Sequence, residues 1–142
     1  FESAQFTARI VQEDALLEIA QGEWEEQERS QCITPEVAKA QHANPYDFKA
    51  PGGESVRDVE HRIATFVSAL LKELEHENDM RPVLIFTHGF VIKCFLLHVM
   101  SSDPRMAYKT IISNTGISQF GYKPEEGWFL LSVNDDAHLI TK

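Results

Sequence analysis

A single mixed α/β domain spanning residues 1–142 is predicted by three observations. The first is a long amphipathic stretch from Ser55, with Val56, Val59, Ile63, Phe66, Val67, Leu70, Leu71 and Leu74 at three- and four-residue steps. The second is the unbroken apolar run Val83-Leu84-Ile85-Phe86-Thr87, followed at once by His88-Gly89 and an apolar helix; it suits a strand covered on both faces, as in a parallel sheet. The third is a pair of strand-like segments near the end, joined by the turn Lys123-Pro124-Glu125-Glu126-Gly127. A chain of 142 residues buries roughly 68–70% of its unfolded surface, enough for a core without disulfide or metal staples.

Taken in order, residues 4–12 read as a short helix with Phe6 and Ile10 on one face. Residues 15–19 suit a short strand or extended segment, followed by Gly22 and the acidic, polar run 23–30. Thr34-Pro35 starts a helix, with Thr34 as N-cap, that should reach about Gln41. Asn-Pro, Pro-Gly and Gly-Gly pairs mark a loop over 42–53. Ser55-x-x-Asp58 is a capping-box-like start for the long helix, which should run to about Asn78. The run 83–87 is expected as an interior strand, Phe90 to Met100 as a buried helix, and Asp103-Pro104 as the opening of a shorter helix to about Lys109. Residues 116–122 and 128–133 should pair as a hairpin.

Composition excludes several classes of partner. The formal charge is −9 with no basic cluster, so a nucleic acid backbone would be repelled. The most apolar stretch, 83–100, is broken by Thr87, His88, Gly89, Lys93 and His98, which argues against a membrane span. Cys32 and Cys94 read as thiols in a reducing compartment, favouring the cytoplasm. The first residue is Phe1 and not Met, so some processing or preceding segment is expected.

Chemistry is expected first at Thr87-His88-Gly89, where a strand end meets a helix start. Loops at the carboxyl ends of parallel strands bind ligands in open α/β sheets, and a helix amino end presents unpaired N–H groups to an anion. His88 would add charge and Gly89 close backbone approach, whereas the plainer reading has His88 merely capping the helix. Glu18 closes the ALLE run and, if desolvated, would have a raised pKa suited to a general acid; its plainer reading is a solvated carboxylate. Cys94 and His98 lie one helical turn apart but read as core and rim residues. His61 and His76 fit no metal-ligand pair, so no metal site is expected. Asn134-Asp135-Asp136 reads as a turn, with a weaker cation-site alternative.

Three segments in order, LLEIAQGEWEEQ (16–27), PGGESVRDVEHRI (51–63) and PVLIFTHGFVIKCFL (82–96), together resemble the histidine phosphatase superfamily, also called the phosphoglycerate-mutase-like fold. NTGISQF (114–120) is similar to that family's next strand. The resemblance implies a three-layer sandwich with a mostly parallel central sheet. It also implies phosphomonoester chemistry on a small phosphorylated substrate through a phospho-His intermediate, with no cofactor. Glu18 would then be the proton donor, His88 a phosphate ligand and Gly89 a backbone donor. Such transfer needs positive charge around the equatorial oxygens and a proton for the departing alkoxide.

Two departures qualify the resemblance. No Arg-His-Gly occurs in the sequence, and the family's pattern would place that nucleophile motif, with the first strand and helix, ahead of residue 1. Ser3 stands where the segment FESAQFTARIV (1–11) would match a phosphate-binding Arg, offering a neutral hydrogen bond in place of a charged fork. Arg9, about 240° further around a helix, is no simple substitute. The segment of about 35 residues between Glu18 and Glu54, centred on 20–53, would form a substrate-selecting lid, and its shortness resembles phosphatases more than cofactor-dependent mutases. The rival reading is a pseudophosphatase or anion-binding interaction module. A missing first strand would leave a sheet position that a second chain of a homo-oligomer could fill.

Overall fold

In chain order the helices are α1 (Arg29–Cys32), α2 (Pro35–Ala43), α3 (Val56–Glu77) and α4 (Gly89–Met100), followed by strands β1 (Ile117–Lys123) and β2 (Gly127–Asp135). Short 3-10 turns occur at Asp14–Leu16, Gly22–Trp24, Pro104–Tyr108 and Ala137–Leu139. This is a computed structural model, and it describes residues 10–77 and 81–139.

Local chemistry starts α3, α2 and the Pro104–Tyr108 turn. The Ser55 hydroxyl donates to Asp58 Oδ2 at 2.9 Å and accepts from the Asp58 N–H at 3.2 Å, while the Ser55 N–H reaches the same carboxylate at 2.9 Å. That reciprocal arrangement satisfies donors that the first turn of α3 would otherwise leave unpaired. Thr34 Oγ1 accepts from the Val37 N–H at 3.3 Å with Pro35 in the first turn, so α2 begins where its sequence indicates. Asp103 does the same for the Pro104–Tyr108 turn by accepting from the Arg105 N–H.

The core lies where α3 crosses α4. Val56, Val59, Ile63 and Val67 of α3 meet Val91, Cys94 and Leu97 of α4, with Ala107 closing one end. Each fully buried aliphatic here contributes roughly 1.5–3 kcal/mol relative to exposure. The hairpin docks on α4 through Phe95, whose ring meets Phe120 at 4.8 Å and Trp128 at 5.2 Å, both edge-on. Its strands are antiparallel, pairing Phe120 with Leu130 and Tyr122 with Trp128 across the expected turn, with irregular register near Gln119. Gly127, at φ 82, supplies the left-handed residue that this turn requires.

Three expectations are corrected. Residues 83–87 form no strand, and Val83, Leu84, Ile85 and Phe86 are 41–85% exposed. An apolar run states a need for burial, but a strand exists only through pairing, and among the described residues no strand pairs with this one. Of residues 15–19, expected as a short strand or extended segment, no strand forms: Asp14–Leu16 is a single 3-10 turn and Leu17 after it is extended, with carbonyls of the segment taken by side chains. Of the helix expected over 4–12, residues 10–12 carry no helix and Ile10 and Val11 are exposed, while 4–9 lie outside the described residues. The sheet that is described is two-stranded and antiparallel.

Candidate active site

Glu18 and the start of α4 come together although 72 positions separate Glu18 from Phe90. The Phe90 N–H approaches Glu18 Oε2 at 3.5 Å, and Oε1 accepts from the Ile19 N–H at 2.9 Å. Glu18 is exposed, so the desolvation that would suit it as a general acid is not found and its carboxylate is solvated, at the start of α4. His88 occupies the N-cap position with extended backbone, and its side chain makes no capping bond. The imidazole is exposed and has no hydrogen-bond partner among the described residues, so it is available to a ligand and does not serve as a cap. At Gly89 an added Cβ would meet Ile112 at 3.8 Å, an ordinary contact, so the protein's own packing does not demand glycine there. Ser3 lies outside the described residues.

What holds Glu18 in place was not among the expected site residues. Arg62, on the flank of the buried face of α3, donates from Nη1 to the Ala15 carbonyl at 2.6 Å and from Nη2 to those of Leu17 at 2.7 Å and Glu18 at 3.3 Å. Its Nε binds Glu54 Oε1 at 2.8 Å and its Nη2 reaches Oε2 at 3.1 Å. Glu54 in turn accepts the Ala20 N–H through Oε2 at 3.0 Å and donates its own N–H to the Ala20 carbonyl at 2.8 Å. The Thr87 hydroxyl takes the Leu16 carbonyl at 2.7 Å, joining the residue before His88 to the same strap. Burial works against the Glu54 charge, but Arg62 and the Ala20 N–H outweigh it and hold the carboxyl below the usual carboxylate range. The signal for Arg62 was its position one residue before Ile63, beside the buried stripe of α3.

The segment 20–53 is closed at its base. The Glu23 N–H donates to the Pro51 carbonyl at 2.9 Å, and a Cβ at Gly22, whose φ is +54, would lie 2.2 Å from that oxygen. Trp24 faces Phe48 with ring centroids 6.1 Å apart. The Phe90 ring meets that of Tyr108 edge-on at 5.9 Å. Tyr108 forms one wall of a cleft of about 170 Å³ that is also lined by Gln41, His42, Arg105 and Lys109.

The remaining chemistry-bearing residues resolve into structure. Cys94 is fully buried, and burial pushes its thiol up to about 12, away from thiolate chemistry. His98 does not pair with it. Its Nδ1 lies 3.8 Å from Glu60, and its ring stacks on Phe95. Asn134, at φ 52, accepts the Ser113 N–H at 2.6 Å, and Asp136 accepts the Ser113 hydroxyl at 2.8 Å, so the Asn134-Asp135-Asp136 stretch pins the turn before β1. Among the described residues no three His, Cys, Asp or Glu side chains cluster as a metal site, and no helix is long and apolar enough to cross a membrane.

Comparison with known proteins places the whole arrangement in context. The family model described as "Histidine phosphatase superfamily (branch 1)" matches residues 2–136. The phosphoserine phosphatase of Entamoeba histolytica, solved as a variant with phosphoserine, is similar at TM-score 0.76 and 23% identity, over 94% of this chain and 66% of that one. Mycobacterial glucosyl-3-phosphoglycerate phosphatase with inorganic phosphate gives 0.70 and 24%, over 88% and 64%. The α-ribazole phosphatase of Shigella flexneri gives 0.67 and 18%, over 94% and 64%. The chain therefore spans about two thirds of the length of these structures, and at such identities the likeness establishes the α/β fold. No curated protein matches the sequence.

Proposed function

Because the chain belongs to the histidine phosphatase superfamily, we propose that it is the larger part of a phosphomonoesterase acting on a small phosphorylated metabolite through a phospho-His intermediate. One observation carries the reading: the Glu18 carboxyl and the amino end of α4 behind His88 meet across 72 positions of sequence. In this scheme the α4 N–H groups and His88 hold the phosphoryl oxygens, with Ser3 adding a neutral contact. Glu18 protonates the oxygen that leaves. A helix amino end binds the anion and a nearby carboxylic acid supplies the proton, the two things hydrolysis of an alkyl phosphate requires of its surroundings.

The nucleophile is a different matter. None of the six histidines follows an arginine, so none occupies an Arg-His-Gly setting. The 142-residue chain by itself is accordingly inactive in this scheme, and activity belongs to a form that supplies that motif. The same reading implies a mostly parallel sheet in a three-layer sandwich and makes 20–53 the lid.

The test is phosphate release from an aryl and an alkyl phosphate by the form carrying Arg-His-Gly. His88→Ala should reduce both rates, on the order of 10²–10³-fold for a preorganised charge-stabilising contact. Glu18→Gln should act chiefly on the alkyl ester, by about 10²–10⁴-fold, because its leaving group needs the proton. Indifference to His88→Ala, or robust turnover by the 142 residues alone, overturns the mechanism. Anion binding without turnover, even with the motif present, favours the interaction-module reading.

A further inference from the structure

We propose that Arg62, seated on Glu54, is a positioning residue for the Glu18 carboxyl, setting where the proton donor stands relative to the start of α4. The proposal rests on the reading of Glu18 as that donor, and it concerns the strap 15–20 that carries it.

That strap has almost no regular structure of its own beyond one 3-10 turn. Its shape is written by side chains from elsewhere. The carbonyls of residues 15, 17 and 18 all point at one guanidinium, the carbonyl of Leu16 goes to Thr87, and that of Ala20 to the Glu54 N–H. A guanidinium suits this task because its donors diverge in one rigid plane and it remains charged at every working pH. Lysine has a single ammonium and cannot span the same set.

The second half of the clamp keeps the first from swinging. Glu54 engages Arg62 through both carboxylate oxygens and also holds the Ala20 N–H, two residues beyond Glu18. The pair is only 20% and 26% exposed, so its hydrogen bonds compete little with water. Glu54 sits immediately before Ser55, whose capping bonds fix the first turn of α3, so the clamp is referenced to a helix that supplies half of the core. Arg62 reaches no atom of the Glu18 carboxyl itself. It acts on the backbone from which that carboxyl extends.

Proton transfer is sensitive to such placement, since a misplacement of about 1 Å can cost on the order of 10²-fold. The experiment compares Arg62→Met, Arg62→Lys, Glu54→Gln and Glu18→Gln in the form that carries Arg-His-Gly, using an alkyl phosphate and nitrophenyl phosphate. Arg62→Met should slow the alkyl ester about 10- to 10²-fold more than the aryl ester, in kcat and not in KM. Combined with Glu18→Gln it should add nothing further to that selectivity, and Arg62→Lys should restore only part of it. Glu54→Gln, which keeps an acceptor for the Ala20 N–H, should show the same selectivity more weakly and covers the case in which Arg62→Met fails to fold. Equal loss on both esters means that Arg62 is structural only and overturns the proposal. If Glu18→Gln itself shows no leaving-group selectivity, the reading of Glu18 as donor fails. The clamp is then judged by amide exchange, which should rise at Ile19 and Ala20 in Arg62→Met while the α3 core amides stay protected. Unchanged exchange there overturns the clamp as well.

Discussion

Replacing Ser55 by alanine tests the most sharply defined piece of local chemistry in the chain. Ser55 is 2% exposed, and its hydroxyl makes two bonds with Asp58 while the Ser55 N–H makes a third. Ser55→Ala removes the first two and strands the Asp58 N–H in the first turn of α3, but keeps the third. Loss of a serine N-cap costs about 1–2 kcal/mol. Asp58 itself is 43% exposed and can recruit water on its outer side, which places the net cost near ~1.5 kcal/mol. With an unfolding entropy of about 2.1 cal/mol/K per residue, 142 residues give about 0.3 kcal/mol/K, so Tm should fall by about 5 °C at neutral pH. The assay is thermal unfolding followed by far-ultraviolet circular dichroism. There is a second, independent signature. Asp58 is held below the usual carboxylate range first by the Ser55 N–H and then by its hydroxyl. A depressed carboxyl contributes stability that is present above its unfolded pKa and lost as pH falls through the folded one. The gap between parent and variant should therefore narrow on acidification below the ordinary carboxylate range. A Tm change within about 1 °C, or a gap that widens in acid, would refute the capping argument.

Two further outcomes follow from the base of the 20–53 segment and from the Arg62 clamp. Gly22→Ala should cost about 2 kcal/mol or more, because a Cβ would lie 2.2 Å from the Pro51 carbonyl at a φ of +54; an unchanged urea midpoint would contradict this. Glu54 also has a depressed carboxyl, so part of the stability present above the ordinary carboxylate range should disappear as pH falls below it. Arg62→Met should flatten that acid limb in urea titrations across pH, and an unaltered limb would mean that the pair carries no linkage.

Much of this chain was legible from residues alone, wherever structure depends on neighbours in sequence. The start of α3 at Ser55, the N-cap at Thr34 and the Lys123–Gly127 turn rest on interactions within a few residues, and the apolar faces of α3 and α4 are written in the spacing of each helix by itself. The family resemblance was legible too, because it is carried by short segments in fixed order. Wherever an element needed a remote partner, the sequence could state only a requirement. The run 83–87 has the composition of a buried strand, yet pairing belongs to two segments at once, and among the described residues no second strand pairs with it. The strap 15–20 is the converse case: the sequence of 15–19 suggested a short strand or extended segment, and its shape is set by the remote side chains of Arg62, Thr87 and Glu54. Glu18 could be singled out as a carboxylate at the end of an apolar run. That it lies against the start of α4, and that one guanidinium holds it there, was decided by the crossing of α3 and α4, a packing event that no local pattern encodes.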